Sequence, residues 1–182
     1  MKISVAADLE GRLLRRYKRF LADIETREGE KLTVHCPNPG SMRGLIREGA
    51  AVRCSSSNNP RRKLRHTLEM IRVGRTWVGL HTGRANAVAE AALRADAIEA
   101  LSGYRRIRRE VSAPLGSRID LVLDDHPDDP RPAWLEVKSV TLAEGSLARF
   151  PDSVTERGRR HATELAGLVE KGARAALLFV VQ

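Results

Sequence analysis

Three ionisable residues stand where a buried sheet would carry apolar ones. Ile119-Asp120-Leu121-Val122-Leu123 and Ala133-Trp134-Leu135-Glu136-Val137-Lys138 read as short, mostly apolar strands, and the Asp- and Pro-rich segment 124–130 between them reads as a turn or loop. Side chains alternate along a strand, so Glu136 and Lys138 emerge on one face while Leu135 and Val137 point to the other. Removing an unpaired carboxylate from water is costly, so Asp120 and Glu136 on adjacent strands need a cation between them: a lysine, a metal ion or both.

Two chemistries satisfy that need. In the first, Asp120 and Glu136 supply hard oxygen ligands to Mg²⁺ or Mn²⁺, leaving coordination positions for water and a phosphate oxygen. Lys138 then holds the attacking water or neutralises charge on the phosphorane-like transition state, and the set performs phosphodiester hydrolysis. In the second, Lys138 forms a structural ion pair with Asp120 or Glu136.

The surrounding elements follow from periodicity. Ala85 to Leu101 is rich in Ala and Leu and predicts a helix with Val88, Ala91, Ala95 and Ile98 on its apolar face. Asn86, Glu90 and Arg94 share another side, so Glu90 is either an exposed partner of Arg94 or a third carboxylate facing the site. Tyr104 to Ser112 predicts a strand bearing a strip of Arg105, Arg106, Arg108 and Arg109. Ser153 with Glu156 makes a capping box for a helix running to about Lys171 and stopping at Gly172, its polar side carrying Arg157, Arg159, Arg160 and His161. Ala173 to Val181 predicts a final buried strand. The second part is thus ordered helix, three strands, helix, strand.

The first part reads as β. A long bulged strand over Arg12 to Ile24, then strands at Lys31 to Cys36, Ala50 to Ser55, Leu64 to Val73 and Thr76 to His81, predict a small antiparallel barrel of the OB type. Pro37 to Met42 is a connector or a backbone nest, with Ser41 able to cap a short turn. Ser55 to Lys63 is a polar loop ending in three cations, either contacting phosphates or solvated. Tyr17, Phe20 and Trp77 are base-stacking or core residues. Aromatics make up only 4% of the chain, which argues against a strong stacking platform and for grip through phosphates.

Charge divides the chain the same way. The net charge is +9, and residues 1–80 hold 17 Lys and Arg against 8 Asp and Glu, leaving residues 81–182 neutral. A basic module, 1–82, joined to a neutral one with a metal-site candidate, 83–182, suggests that one part holds a polyanion and the other processes or grips it. Arg15, Arg16, Lys18, Arg19, Arg61, Arg62, Lys63 and Arg157 are the candidates for backbone contacts. Cys36 and Cys54 lack metal-ligand spacing and read as reduced, structural thiols. No apolar run reaches membrane-spanning length and the N-terminus lacks a signal-peptide core, so a cytoplasmic protein without membrane contact is expected.

Helix, three strands, helix, strand, with an acid on the second strand and Glu-x-Lys on the third, resembles the PD-(D/E)XK nuclease core. Glu90 falls where several such nucleases, Holliday-junction resolvases among them, keep an extra carboxylate, and Arg118-Ile119 stands where the motif's Pro would be. A more specific resemblance spans nearly the whole chain. Arg16-Tyr17-Lys18-Arg19-Phe20, His35-Cys36-Pro37-Asn38-Pro39-Gly40-Ser41-Met42, Ser117-Arg118-Ile119-Asp120, Glu136-Val137-Lys138-Ser139-Val140-Thr141-Leu142 and Phe150-Pro151-Asp152 through Arg157-Gly158 resemble the sugar fermentation stimulation protein (SfsA) family. That resemblance implies an α+β protein, an N-terminal OB-like barrel followed by a PD-(D/E)XK-like domain on a mixed sheet. It also implies DNA as the partner, bound with little sequence preference, and a regulatory link to sugar use. Members continue past the last strand with a further strand and helix, so the second domain is expected to lack that extension. The reading leaves a Mg²⁺- or Mn²⁺-dependent nuclease with Glu90, Asp120, Glu136 and Lys138 as its site, or a non-catalytic regulator retaining a vestigial site. It is compatible with a homodimer.

Overall fold

The structure is a computed structural model describing residues 3–114, 116–150 and 156–182, with Arg157 described by its backbone alone. It divides into two compact units. One comprises the residues up to Gly83, the hairpin after Val140 and the last two residues; the other comprises Arg84–Ser139 with the helix and strand that follow.

In the first unit, β1 (Leu9–Tyr17), β2 (Leu21–Thr26), β3 (Lys31–His35), β4 (Ala51–Ser56), β5 (His66–Val73) and β6 (Thr76–Gly79) run in sheet order β3-β2-β1-β4-β5-β6. A parallel pairing of His35 with Thr67 joins β3 to β5 and closes a five-stranded, OB-like barrel. Alternation along β2, β3 and β4 puts Ala22, Ile24, Val34, Val52 and Cys54 inside, and β5, whose pairing with β4 shifts register between Arg53 and Cys54, adds Leu68 and Ile71; Leu13, Cys36, Met42 and Leu80 complete the core. Both cysteines are free and buried, and burial, with Glu69 next in weight, pushes the Cys54 thiol up to about 12.

The single strand expected over Arg12 to Ile24 is instead a hairpin. Lys18 and Arg19 turn the chain with φ of 48° and 62°, the two positive values that a tight hairpin turn requires. The usual Asn-Gly signal is missing, which hid the turn. Arg16 supports it: Nη2 donates to the carbonyls of Arg19 at 2.9 Å, Asn38 at 2.8 Å and Gly40 at 2.9 Å, tying the turn to the 37–42 connector. A bulge does occur, between Leu13 and Arg15. Residues 43–45 form a short turn, and Arg43 N donates to Ser41 Oγ just before it.

In the second unit, α1 (Arg84–Arg94) and a 3-10 turn (Glu99–Leu101) precede β7 (Arg106–Ser112), β8 (Arg118–Asp124) and β9 (Ala133–Val140). After β10 (Leu142–Glu144) and β11 (Leu147–Arg149), which pair with each other in the first unit, come α2 (Glu156–Glu170) and β12 (Arg174–Val181). The mixed sheet is ordered β12-β9-β8-β7.

Helix α1 stops seven residues before the predicted end, at Leu101. Asp96, at φ 48°, takes the left-handed position usually given to glycine, and Ala97 N bonds back to Ala92 O at 3.0 Å. The buried face is also different: Ala85, Ala89 and Leu93, at i, i+4, i+8, pack against Leu121, Leu123, Leu135 and Val137, whereas Val88 and Ala91 are half-buried and Ala95 is exposed. Helix α2 ends at Gly172 as expected, with φ 87° and the same back-bonded geometry. Ser153 lies outside the described residues, so its capping role does too. Strand β12 is an edge rather than fully buried: Ala176, Leu178 and Val180 pack inward while Leu177, Phe179 and Val181 are exposed.

Gly11 marks a close approach inside the barrel wall. A Cβ there would lie 2.5 Å from the Glu25 carbonyl oxygen, a backbone atom that cannot swing aside. Gly11→Ala is therefore expected to destabilise the protein by about 1–3 kcal/mol in urea unfolding; an unchanged midpoint would show that β1 and β2 separate freely.

Candidate functional site

Strand β8 pairs with β9 through Leu121–Leu135, Val122–Trp134 and Leu123–Ala133. One step further on, the Asp120 side chain takes over from the backbone: Oδ2 accepts the Val137 N–H at 2.8 Å, and Oδ1 accepts Asn86 Nδ2 at 2.9 Å from α1. The carboxylate thus sits where the two strands stop exchanging bonds, half-buried and fixed by one donor on each oxygen.

Glu136 is more deeply placed, at 3% exposure. Its Oε1 accepts Lys138 Nζ at 2.6 Å and lies 2.5 Å from His161 Nδ1 on α2. Its Oε2 is buried without a hydrogen-bond partner among the described residues. Two nitrogens therefore converge on one oxygen and leave the other uncompensated, an arrangement that a cation at Oε2 would complete.

Glu90 makes the pair with Arg94 expected from its spacing, but not as an exposed residue. It is buried, its Oε1 bonded to Arg94 at 2.7 Å and its Oε2 to Arg109 from β7. Burial pushes its carboxyl up, but hydrogen bonds from Arg109 and Arg94 outweigh this and hold it below the usual carboxylate range. Among the described residues no three His, Cys, Asp or Glu converge as metal ligands. A divalent cation here would rest on Asp120 and Glu136 with water completing its shell, which suits Mg²⁺ and Mn²⁺. The unpartnered Oε2 fits that role.

His161, expected on the polar side of its helix, is instead buried, and with Glu164, Leu165 and Leu168 it forms a buried stripe at i, i+3, i+4, i+7. Glu164 Oε2 accepts the Ser117 N–H at 3.1 Å, fixing the entry to β8. Asn86 and Arg109 carried no sequence signal beyond helical and strand placement.

The basic candidates divide. Lys18, Arg19, Arg61, Arg62 and Lys63 are exposed on the barrel unit, with Arg62 bonded to Thr67 Oγ1 at 2.6 Å. Arg15 is exposed but paired with Asp23 at 2.7 Å and laid over the Tyr17 ring. Arg16 is committed to three carbonyls and serves the fold. The side chain of Arg157 lies outside the described residues. The strip on β7 is largely neutralised, Arg106 and Arg108 by Asp124 and Arg109 by Glu90. The acidic loop is held likewise, Asp129 by Arg131 at 2.8 Å. Among the described residues no helix is long and apolar enough to cross a membrane.

Comparison with known proteins agrees with this architecture. Residues 14–80 match a family model described as the SfsA N-terminal OB domain, and residues 83–182 match one described as the sugar fermentation stimulation protein RE domain. A sugar fermentation stimulation protein homolog of Alkalilimnicola ehrlichii is 51% identical over 177 residues, covering 94% of this chain and 74% of the relative. That of Geobacter sulfurreducens is 45% identical over 172 residues, covering 94% and 72%. The solved structure of Pyrococcus furiosus SfsA in complex with Ca²⁺ is similar with a TM-score of 0.84 at 26% identity, covering 98% of this chain and 74% of that one.

Because Glu90 is held below its ordinary range, its ion pairs stabilise the fold above the unfolded carboxyl's titration. That contribution disappears as pH falls through the lowered folded value. Glu90→Gln should therefore lower the melting temperature at pH 7 and reduce the further loss on acidification. Parallel melting curves for the two proteins from pH 7 to acid would remove Glu90 from the acid response.

Proposed function

The chain belongs to the sugar fermentation stimulation protein family, and we propose that it binds DNA with little sequence preference and hydrolyses phosphodiesters with a divalent cation. The observation that supports the catalytic half is Glu136: one oxygen accepts from Lys138 with His161 Nδ1 close by, and the other is buried and without a partner among the described residues, on the strand beside Asp120. The Ca²⁺ complex of the Pyrococcus furiosus relative supports a cation of the same hard, oxygen-seeking class.

Asp120 and Glu136 would hold the cation. When bound, it would supply Lewis acidity to the scissile phosphate and lower the pKa of water. Asn86 and the Val137 N–H orient Asp120, so this ligand needs no reordering. Lys138, within reach of Glu136 Oε1, is placed to orient the attacking water and to offset charge as the phosphate becomes pentacovalent. The exposed cations of the barrel, Lys18, Arg19, Arg61, Arg62 and Lys63, grip phosphates, which accounts for the surplus of +9 in residues 1–80. A cytoplasmic location and Mg²⁺ or Mn²⁺ as the working ion belong to the same proposal.

A second reading is a non-catalytic DNA-binding regulator. It draws on the approach of two nitrogens, Lys138 Nζ and His161 Nδ1, to Glu136 Oε1, which lets the cluster stand as an ion-pair scaffold.

Single-stranded, duplex and branched DNA incubated with Mg²⁺ or Mn²⁺, and then with chelator, separates the two. Cleavage that falls at least about a hundredfold in Asp120→Asn and in Lys138→Ala, with DNA affinity kept, is expected. Tight binding without cleavage in any arm would leave the regulator. Reversing charge at Arg61, Arg62 and Lys63 should weaken binding to all sequences alike and flatten its salt dependence by about one unit per lost contact. Unchanged affinity would take that loop out of the footprint.

A further inference from the structure

A groove of about 710 Å³ on the barrel unit is lined by Glu10, Arg12, Arg27, Arg53, Arg72 and Trp77, among others. Along β1 and β4 these residues alternate with the core positions Leu13, Val52 and Cys54, so the groove lies on the outside of the barrel wall. Its size falls in the range of roughly 300–1,000 Å³ typical of ligand sites. None of its residues belongs to the candidate phosphate contacts assigned above.

The groove has an ordered platform. The guanidinium of Arg53 lies 4.7 Å from the centroid of the Trp77 ring, and its Nη2 donates to Glu10 Oε1 at 3.0 Å. Glu10 stands directly opposite Arg53 in the β1–β4 register, and its other oxygen is taken by Arg27. The Arg53 guanidinium thus lies over Trp77 with Glu10 beside it, while its side chain remains 41% exposed. Arg12 and Arg72 flank the platform, each tethered through one guanidinium nitrogen to a backbone carbonyl, Gly49 at 3.2 Å and Gly74 at 3.1 Å. One such bond uses a single donor of the five that a guanidinium carries. Four arginines against Glu10 and Glu25 leave the groove positive.

We propose that this groove takes an unpaired base with its flanking phosphates from single-stranded DNA. The base stacks on the open face of Arg53 to make a pile of Trp77, Arg53 and base, and Arg12 and Arg72 meet the phosphates. A guanidinium plane already stacked on an indole offers a base the same surface as a second aromatic ring, with added cation–π attraction. That supplies a stacking site in a chain poor in aromatics. A duplex presents no free base face, so the platform selects the single strand. This inference rests on the DNA-binding reading and deepens it.

The test is anisotropy with a labelled short oligothymidylate, its duplex counterpart and thymidine monophosphate, alongside tryptophan fluorescence. Expected are tighter binding of the single strand than of the duplex, by about tenfold, and quenching that is lost in Trp77→Phe, which leaves Trp134 as the remaining indole. Arg53→Lys, which keeps the charge and loses the plane, should cost about tenfold in single-strand affinity and leave duplex affinity within about twofold. Arg72→Ala, on an exposed side chain, gives a second variant that does not disturb Glu10. Oligothymidylate binding without Trp77 quenching and unaffected by either variant overturns the groove while the DNA reading stands. Equal affinity for thymidine monophosphate overturns the strand and assigns a free nucleotide. No binding to any DNA removes both.

Discussion

A carboxylate withdrawn from water is tolerated only where positive charge or donors meet it, and in this chain that demand is most concentrated at Glu136. Lys138, two residues along the same strand, and His161, reaching in from α2, both address Oε1. Helix α2 is therefore tied to β9 by a polar contact as well as by the apolar packing of Leu165 and Leu168 near Ile119 and Trp134. Removing one member of such a buried cluster typically costs about 3–5 kcal/mol, because the remaining charge stays buried. The cluster is thus structural whatever else it does, and Oε2 is the part of it that the described residues leave unanswered.

Asp120 has the opposite character. Its two oxygens are met by an amide side chain and a backbone N–H, neither of which carries charge. Glu90 is met twice, by Arg94 and Arg109, although it lies one helical turn from Asn86. Three acids read from the sequence as one candidate group thus differ in surroundings: Asp120 is braced by uncharged donors, Glu136 is met on one oxygen, and Glu90 is a salt-bridge hub.

How much of this could be read beforehand depends on the range of the signal. Strand periodicity placed β4, β5, β8 and β9 within a residue or two, because alternation over five to eight residues is local and a one-residue slip would turn the core outward. The hairpin at Lys18-Arg19 and the end of α1 at Asp96 escaped because non-glycine residues occupy positions that glycine or asparagine normally announce. The apolar face of α1 was misjudged because a run of alanines lets several faces look alike, and only the sheet decides which one packs. Asp120, Glu136 and Lys138 were legible as charges in core strands; Asn86, His161 and Arg109 were not, since each meets its partner across at least 19 residues of chain.

The barrel's arginines show the same limit. Counting charge located the basic half of the molecule, yet Arg16 serves carbonyls, Arg15 serves Asp23, and Arg53 serves Trp77 and Glu10. Which cations remain for a polyanion is decided by these pairings rather than by the total. For the site itself, calorimetric titration of the protein with Mn²⁺ is the most direct check. Saturable binding of one ion per chain, abolished in Glu136→Gln and weakened in Asp120→Asn while both variants keep the native circular dichroism spectrum, is the result expected from the buried, unpartnered Oε2. Binding that is absent, or that both variants retain in full, would contradict it and leave Glu136 as an ion-pair anchor.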